Sequence, residues 1–253
     1  MIELKTEAEL ERMRRPARIT AEILAALCEK ARPGVTTADL DREAERLIAR
    51  LGARSAFKNY RVGPVVFPAV LCASVNDEIV HGIPSETREL VEGDIIGLDF
   101  GVTVDGYYAD SAVTVAIGKV DEESARLIEA TRESMALGIE QACEGGRLGD
   151  IGAAVQERAE SAGFSVVRDF VGHGIGRALH EDPQVPNFGK RGRGRTITAG
   201  MVLAIEPMVN AGTAAVRVDD DGWTARTADG RRSAHFEHTV AVTRKGPEIL
   251  TRV

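Results

Sequence analysis

Three acidic residues interrupt the most apolar runs of this 253-residue chain, and no other feature constrains its fold as tightly. Asp99 follows Ile95, Ile96 and Leu98. Glu206 follows Met201, Val202, Leu203 and Ile205, and Glu237 lies among Phe236, Thr239, Val240 and Val242. Runs of this kind read as buried strands, and a buried carboxylate needs a partner. No Lys or Arg stands in these runs, which leaves a bound cation as the simplest partner.

The rest of the chain supplies a frame for those strands. Thr6 and Glu9 have capping-box spacing, and Leu10, Met13, Ala17, Leu24 and Leu27 recur on one helical face as far as Pro33-Gly34. Pro16 predicts a kink or a split in that helix. A second amphipathic helix is expected from Thr37 to Gly52, followed by strands over 65–75, 94–100 and either side of Asp105-Gly106. The order then repeats, with helices over 121–143 and 149–162 and strands from Phe164. Helix-helix-strands occurring twice suggests a duplication, with pseudo-repeats of about 1–118 and 121–250. No linker separates them, so 1–253 is expected to be one domain. The class is α+β with a mainly antiparallel sheet.

Composition removes several alternatives. Acidic residues outnumber basic ones 39 to 32, a net charge of −7 that does not support general nucleic-acid binding. No apolar run approaches the roughly 18 to 20 residues of a membrane helix. Met1 to Lys5 does not read as a leader, so a cytoplasmic location is expected. Cys28, Cys72 and Cys143 are too few and too scattered for a disulfide framework or a thiolate zinc site.

The histidines and acids fall into short motifs: Val80-His81-Gly82-Ile83-Pro84, Leu98-Asp99-Phe100-Gly101, Ala109-Asp110-Ser111, Gly172-His173-Gly174, Leu179-His180-Glu181-Asp182-Pro183, Ala204-Ile205-Glu206-Pro207 and His235-Phe236-Glu237-His238. Any one of them alone reads more readily as a hydrogen-bonded structural residue. Together, Asp99, Asp110, Glu206 and Glu237 with a neutral His173 carry four negative charges, which two divalent cations balance. Oxygen-rich ligation with one nitrogen suits Mn²⁺, Fe²⁺ or Co²⁺. Carboxylates bridging two metals about 3.5 to 4 Å apart hold a hydroxide nucleophile at neutral pH. His81 and His180 are then free to touch substrate.

The ordered set Asp99, Asp110, His173, Glu206 and Glu237, preceded by Cys72-Ala73-Ser74-Val75-Asn76 and His81-Gly82-Ile83-Pro84, resembles the type I methionine aminopeptidases of the pita-bread fold. The resemblance covers residues 5–250. It implies a curved antiparallel sheet with helices on its outer face and internal pseudo-two-fold symmetry. It implies removal of the initiator methionine from nascent polypeptides when the next residue is small. Asp110 and Glu237 would bridge the metals, Asp99 would complete one, and His173 with Glu206 the other. Glu206 would also accept the proton of the attacking water. His180 would polarise the scissile carbonyl, while His81 would contact the amide nitrogen or the residue after methionine. Cys72, Phe67 and Trp223 would wall the methionine pocket, with plain core packing as the competing reading. A monovalent cation beside Asn76 and Ser233 is implied too.

Two features depart from the pattern: Leu179 stands where many relatives carry an aromatic, and 59–66 is not the expected short Tyr-containing turn. Rival readings are a proline-directed peptidase and a pita-bread protein that binds peptide or RNA without metal. The run Lys190, Arg191, Arg193, Arg195 is a candidate contact with ribosomal RNA, against a solvated loop as the bland reading. A monomer that binds no membrane is expected.

Overall fold

The computed structural model describes residues 2–252. Two helices open it, α1 (Glu7–Lys30) and α2 (Thr37–Leu51). Thr6 and Glu9 close a capping box on α1, and Thr36 and Asp39 close one on α2. Seven strands follow: β1 (Arg54–Ser55), β2 (Arg61–Val62), β3 (Val65–Val66), β4 (Cys72–Val75), β5 (Glu78–Val80), β6 (Ile95–Val104) and β7 (Tyr107–Ala116). Then come α3 (Glu122–Glu140), N-capped by Asp121, and α4 (Leu148–Ser161). The remaining strands are β8 (Ser165–Val166), β9 (Gly172–Gly174), β10 (Glu181–Val185), β11 (Val202–Ile205), β12 (Met208–Asn210), β13 (Val216–Val218), β14 (Ala225–Thr227), β15 (Ser233–His235), β16 (Glu237–Thr243) and β17 (Gly246–Ile249).

The principal sheet has nine strands, in the order β1-β6-β7-β16-β11-β9-β10, with β17 on β16 and β4 on β6. All its pairings are antiparallel. The β6–β7 hairpin turns through Asp105 (φ 49) and Gly106 (φ 78), the left-handed pair that a two-residue hairpin needs. Each helix pair covers one flank. Ile19, Ile23, Leu27, Leu40 and Leu47 pack on Ile96, Leu98, Phe100 and Val102 of β6, and Met135, Ile139, Leu148 and Ile151 pack on Leu203, Ile205, Val240 and Val242. Because a strand alternates its faces, burying those side chains against helices turns Asp99 and Glu237 to the other face.

The expectations at two places need correction. Helix α1 is not split at Pro16, which is itself buried within one continuous helix. Met13, Ala17 and Ile23 are buried beside it, and that burial outweighs one missing backbone hydrogen bond. The expected strand over 65–75 is two strands, β3 and β4, separated by Phe67 to Leu71. In the gap the Val70 and Leu71 amides donate to Asp41 Oδ1 of α2, at 2.9 and 3.0 Å, instead of to a neighbouring strand. The strand expected over 94–100 and the one expected just before Asp105 are a single strand, β6.

Candidate metal centre

Sheet register gathers the acids. Asp99 pairs with Ala112, which pairs in turn with Glu237. Gly101, two residues along β6, pairs with Asp110. These are even steps, so Asp99, Asp110 and Glu237 share a face. On the far side His173 pairs with Ala204, two residues before Glu206. Gly101 leaves room for Asp110: a Cβ there would come within 3.1 Å of Asp110 Oδ1 and of Phe57 Cε1, tighter than an ordinary contact. The Asp110 main chain is fixed twice by Thr239, whose hydroxyl accepts from its N–H (3.0 Å) and donates to its carbonyl (2.8 Å).

One ligand atom each from Asp110, His173 and Glu237 lies within 4.8 Å of the others. Glu206 Oε1 is 3.3 Å from His173 Nε2. His173 Nδ1 donates to the Gly174 carbonyl at 2.9 Å, so its Nε2 lone pair faces the acids, the arrangement of a metal-binding imidazole. Asp99 Oδ1 and Glu237 Oε1 are buried without a hydrogen-bond partner. Among the described residues no Lys or Arg forms an ion pair with any of the four carboxylates, and Glu206 meets only His173 and, at 3.9 Å, His235.

Electrostatics gives the same reading. Burial, then mutual repulsion, holds the carboxyls of Asp99, Glu206 and Glu237 well above the ordinary range, and burial raises Asp110 to about 7 although the Ser111 amide opposes it. Burial lowers His173 to about 3 and His81 to about 4, and lowers His180 as well, so the imidazoles face the acids uncharged. Four desolvated carboxylates beside neutral nitrogen cannot all ionise unaided. A divalent donor set of oxygen with one nitrogen fits these residues.

The expected substrate residues line the same cavity as the acids: Phe67, Cys72, His81, His180 and Trp223. The His180 ring lies 4.3 Å from that of His173, and Phe67 meets Trp223 edge-on at 5.3 Å. His81 adopts φ 62, unusual for a residue with a Cβ, and its ring stands 6.1 Å from Trp223 and 5.5 Å from Phe170. Sequence reasoning missed Phe57 in this lining and His235 behind Glu206, and marked Tyr60 and Val62 only as part of the departing stretch 59–66. The Tyr60 hydroxyl lies 2.6 Å from His180 Nδ1. The β2–β3 hairpin folds it there through Phe67 N–H to Tyr60 O at 2.8 Å.

Asn76 and Ser233 are neighbours, the Ser233 N–H donating to Asn76 O at 2.8 Å. Their side chains have protein partners: Asn76 donates to Asp94 at 2.8 Å and Ser233 to Val209 O at 3.2 Å. Lys190, Arg191, Arg193 and Arg195 form an exposed loop outside the cavity, with Arg191 paired to Glu157 at 2.6 Å.

The sequence profile of metallopeptidase family M24 matches residues 11–244. The chain is 53% identical to a methionine aminopeptidase of Clostridium perfringens over 100% of both chains, and 47% identical to methionine aminopeptidase 1 of Bacillus subtilis over 100% of both. The crystal structure of a methionine aminopeptidase from Thermotoga maritima superposes with a TM-score of 0.97 at 44% identity, over 100% of both chains, and so shares the curved antiparallel sheet and its four helices. Prolidase from Pyrococcus furiosus matches at a TM-score of 0.78 and 20% identity, covering 99% of this chain and 65% of that one, a likeness of fold alone.

Proposed function

This chain belongs to the type I methionine aminopeptidases of metallopeptidase family M24, with their pita-bread fold, and from that premise we propose how its residues remove an N-terminal methionine. One observation carries the reading: three buried carboxylates and a half-buried fourth share a cavity with neutral imidazoles and no basic side chain. Asp110 and Glu237 would serve both of two divalent cations, Asp99 would complete one, and His173 with Glu206 would complete the other. Bound there, such cations supply Lewis acidity toward the scissile carbonyl and lower the pKa of the attacking water.

Glu206 would take a proton from the attacking water and return it to the amine nitrogen as the C–N bond breaks. His180 accepts from the Tyr60 hydroxyl at Nδ1 and so presents Nε2–H to the carbonyl oxygen on which charge develops. His81 contacts the scissile nitrogen or the residue after methionine. Phe67, Cys72 and Trp223, with Phe57, exclude water around the methionine side chain. Acceptance of small residues after methionine is part of the same reading.

The test is hydrolysis of Met-Ala-Ser against Met-Leu-Ser and Ala-Pro peptides by EDTA-stripped enzyme given back Mn²⁺, Fe²⁺ or Co²⁺. Cleavage of Met-Ala-Ser alone, restored by metal, is expected. Full activity after stripping, or preference for Ala-Pro, overturns the reading.

The other assignments rest on the same reading. Residues 1–253 form one catalytic domain with two pseudo-repeats. A monovalent cation would sit beside Asn76 and Ser233. The exposed Lys190, Arg191, Arg193 and Arg195 contact RNA at the ribosome, where new N-termini emerge. The enzyme works as a monomer in the cytoplasm; no helix among the described residues is long and apolar enough to cross a membrane.

A further inference from the structure

Lys5 is buried, and the proposed chemistry makes no use of it. Its side chain is 1% exposed, with Nζ 2.7 Å from Glu181 Oε2 and 3.3 Å from Glu3 Oε2. An ammonium withdrawn from water is costly unless paired, and apolar contact would tie down an N-terminal segment more cheaply. Two glycines make way for it. A Cβ on Gly176 would fall 2.2 Å from Lys5 Cε, and one on Gly200 would fall 2.9 Å from Lys5 O. The Lys5 N–H donates to Gly200 O at 2.7 Å.

The partner explains the placement, because Glu181 immediately follows His180. Glu181 Oε1 accepts from the Arg177 and Ala178 amides at 2.6 and 3.1 Å, while Oε2 takes the ammonium. One carboxylate therefore closes the turn that delivers His180 and fastens it to the segment before α1. The same turn has further anchors: Arg177 donates to Glu9 Oε1 at 2.8 Å and lies over the Tyr107 ring at 5.0 Å, and Gly176 O accepts from Tyr108 N–H at 2.8 Å.

We propose that Lys5 is a positioning residue: its ammonium holds Glu181, and through the 176–181 turn it fixes His180 against the scissile carbonyl. This rests on the role given to His180 above. Such a group acts on charge that forms in the transition state, so its misplacement lowers kcat more than it raises KM.

The experiment uses metal-loaded enzyme and the Met-Ala-Ser peptide, with bound metal measured in each variant. Lys5→Met keeps an unbranched side chain and removes the charge. We expect kcat to fall between about tenfold and a hundredfold, the scale of a small displacement of a reacting group. KM and metal content should stay near parental values. In a His180→Ala background the same substitution should change kcat by less than about twofold. Parental kcat in folded Lys5→Met overturns the proposal, and so does an equal loss in both backgrounds, the mark of general loosening. Should Lys5→Met not fold, Glu181→Gln keeps an oxygen for the two amides, removes the charge partner, and is held to the same two comparisons. His180→Ala separates the readings. Parental kcat there overturns the role of His180 and this proposal with it, whereas a loss there with none in Lys5→Met overturns this proposal alone.

Discussion

Tyr60→Phe removes one hydroxyl and leaves the ring, so it tests whether the 2.6 Å contact with His180 Nδ1 matters. The edge-on packing of the two rings, at 5.2 Å, should survive, and with it the shape of the cavity. Burial raises the Tyr60 pKa, which keeps the phenol protonated and able to donate. Donation to Nδ1 places the imidazole proton on Nε2, where it faces the carbonyl. A hydrogen bond of this kind has a net worth of about 1 kcal/mol, equivalent to a factor of about 5 in the tautomer ratio. We expect kcat on Met-Ala-Ser to fall about fivefold, with KM and metal content little changed. Nitrogen NMR of selectively labelled His180 should show the proton on Nε2 in the parent and a mixture in the variant. Protonated Nδ1 in the parent, or undiminished kcat in the variant, would refute the reasoning.

Asp110→Asn should abolish turnover and remove bound metal, since this carboxylate is assigned to both cations; metal analysis beside kcat decides, and appreciable activity at full metal content would sink the bridging role. His81→Ala should bind metal as the parent does while kcat falls by roughly 2 to 4 kcal/mol of transition-state stabilisation; calorimetric titration that finds a lost cation counts against its placement on substrate. Gly101→Ala forces a methyl against Asp110 and Phe57 and should weaken metal binding about 10- to 100-fold, measured by the same titration. Glu9 is held down to about 2 from 4.5, chiefly by the Thr6 backbone N–H and hydroxyl, so its contribution to stability is present above pH 4.5 and lost as the pH falls through about 2. The melting temperature of Glu9→Gln should accordingly lie below the parent's at neutral pH and converge with it in acid.

The acids were legible because strand alternation makes a carboxylate inside an apolar run conspicuous: Asp99, Glu206 and Glu237 needed no alignment to stand out. The Asp105-Gly106 hairpin was legible for a similarly local reason, two residues suited to positive φ. Pro16 does not split its helix because a proline's cost is local, whereas the burial of Met13 and Ala17 that offsets it is tertiary. The false strand over 65–75 misled because apolar residues do not announce where their amides bond, and here those of Val70 and Leu71 turn to Asp41. The pairings of Tyr60 and Lys5 were invisible for a third reason. Their partners stand 120 and 176 residues away, and nothing in either residue's own neighbourhood points that far.

Adjacent β-pairings join β6, β7, β16, β11 and β9, so the acids and His173 meet only when strands from both ends of the chain have closed into one sheet. No shorter stretch contains a working subset: Asp99 and Asp110 lie before α3, whereas His173, Glu206 and Glu237 come after α4. On the assignment proposed above, a copy of this enzyme still being synthesised has no capacity to cut until β16 has emerged and paired. A fragment released early would be inert rather than indiscriminate. Cation affinity thereby becomes a readout of completed assembly, and opening of either half should discharge the ions before the rest of the molecule unfolds.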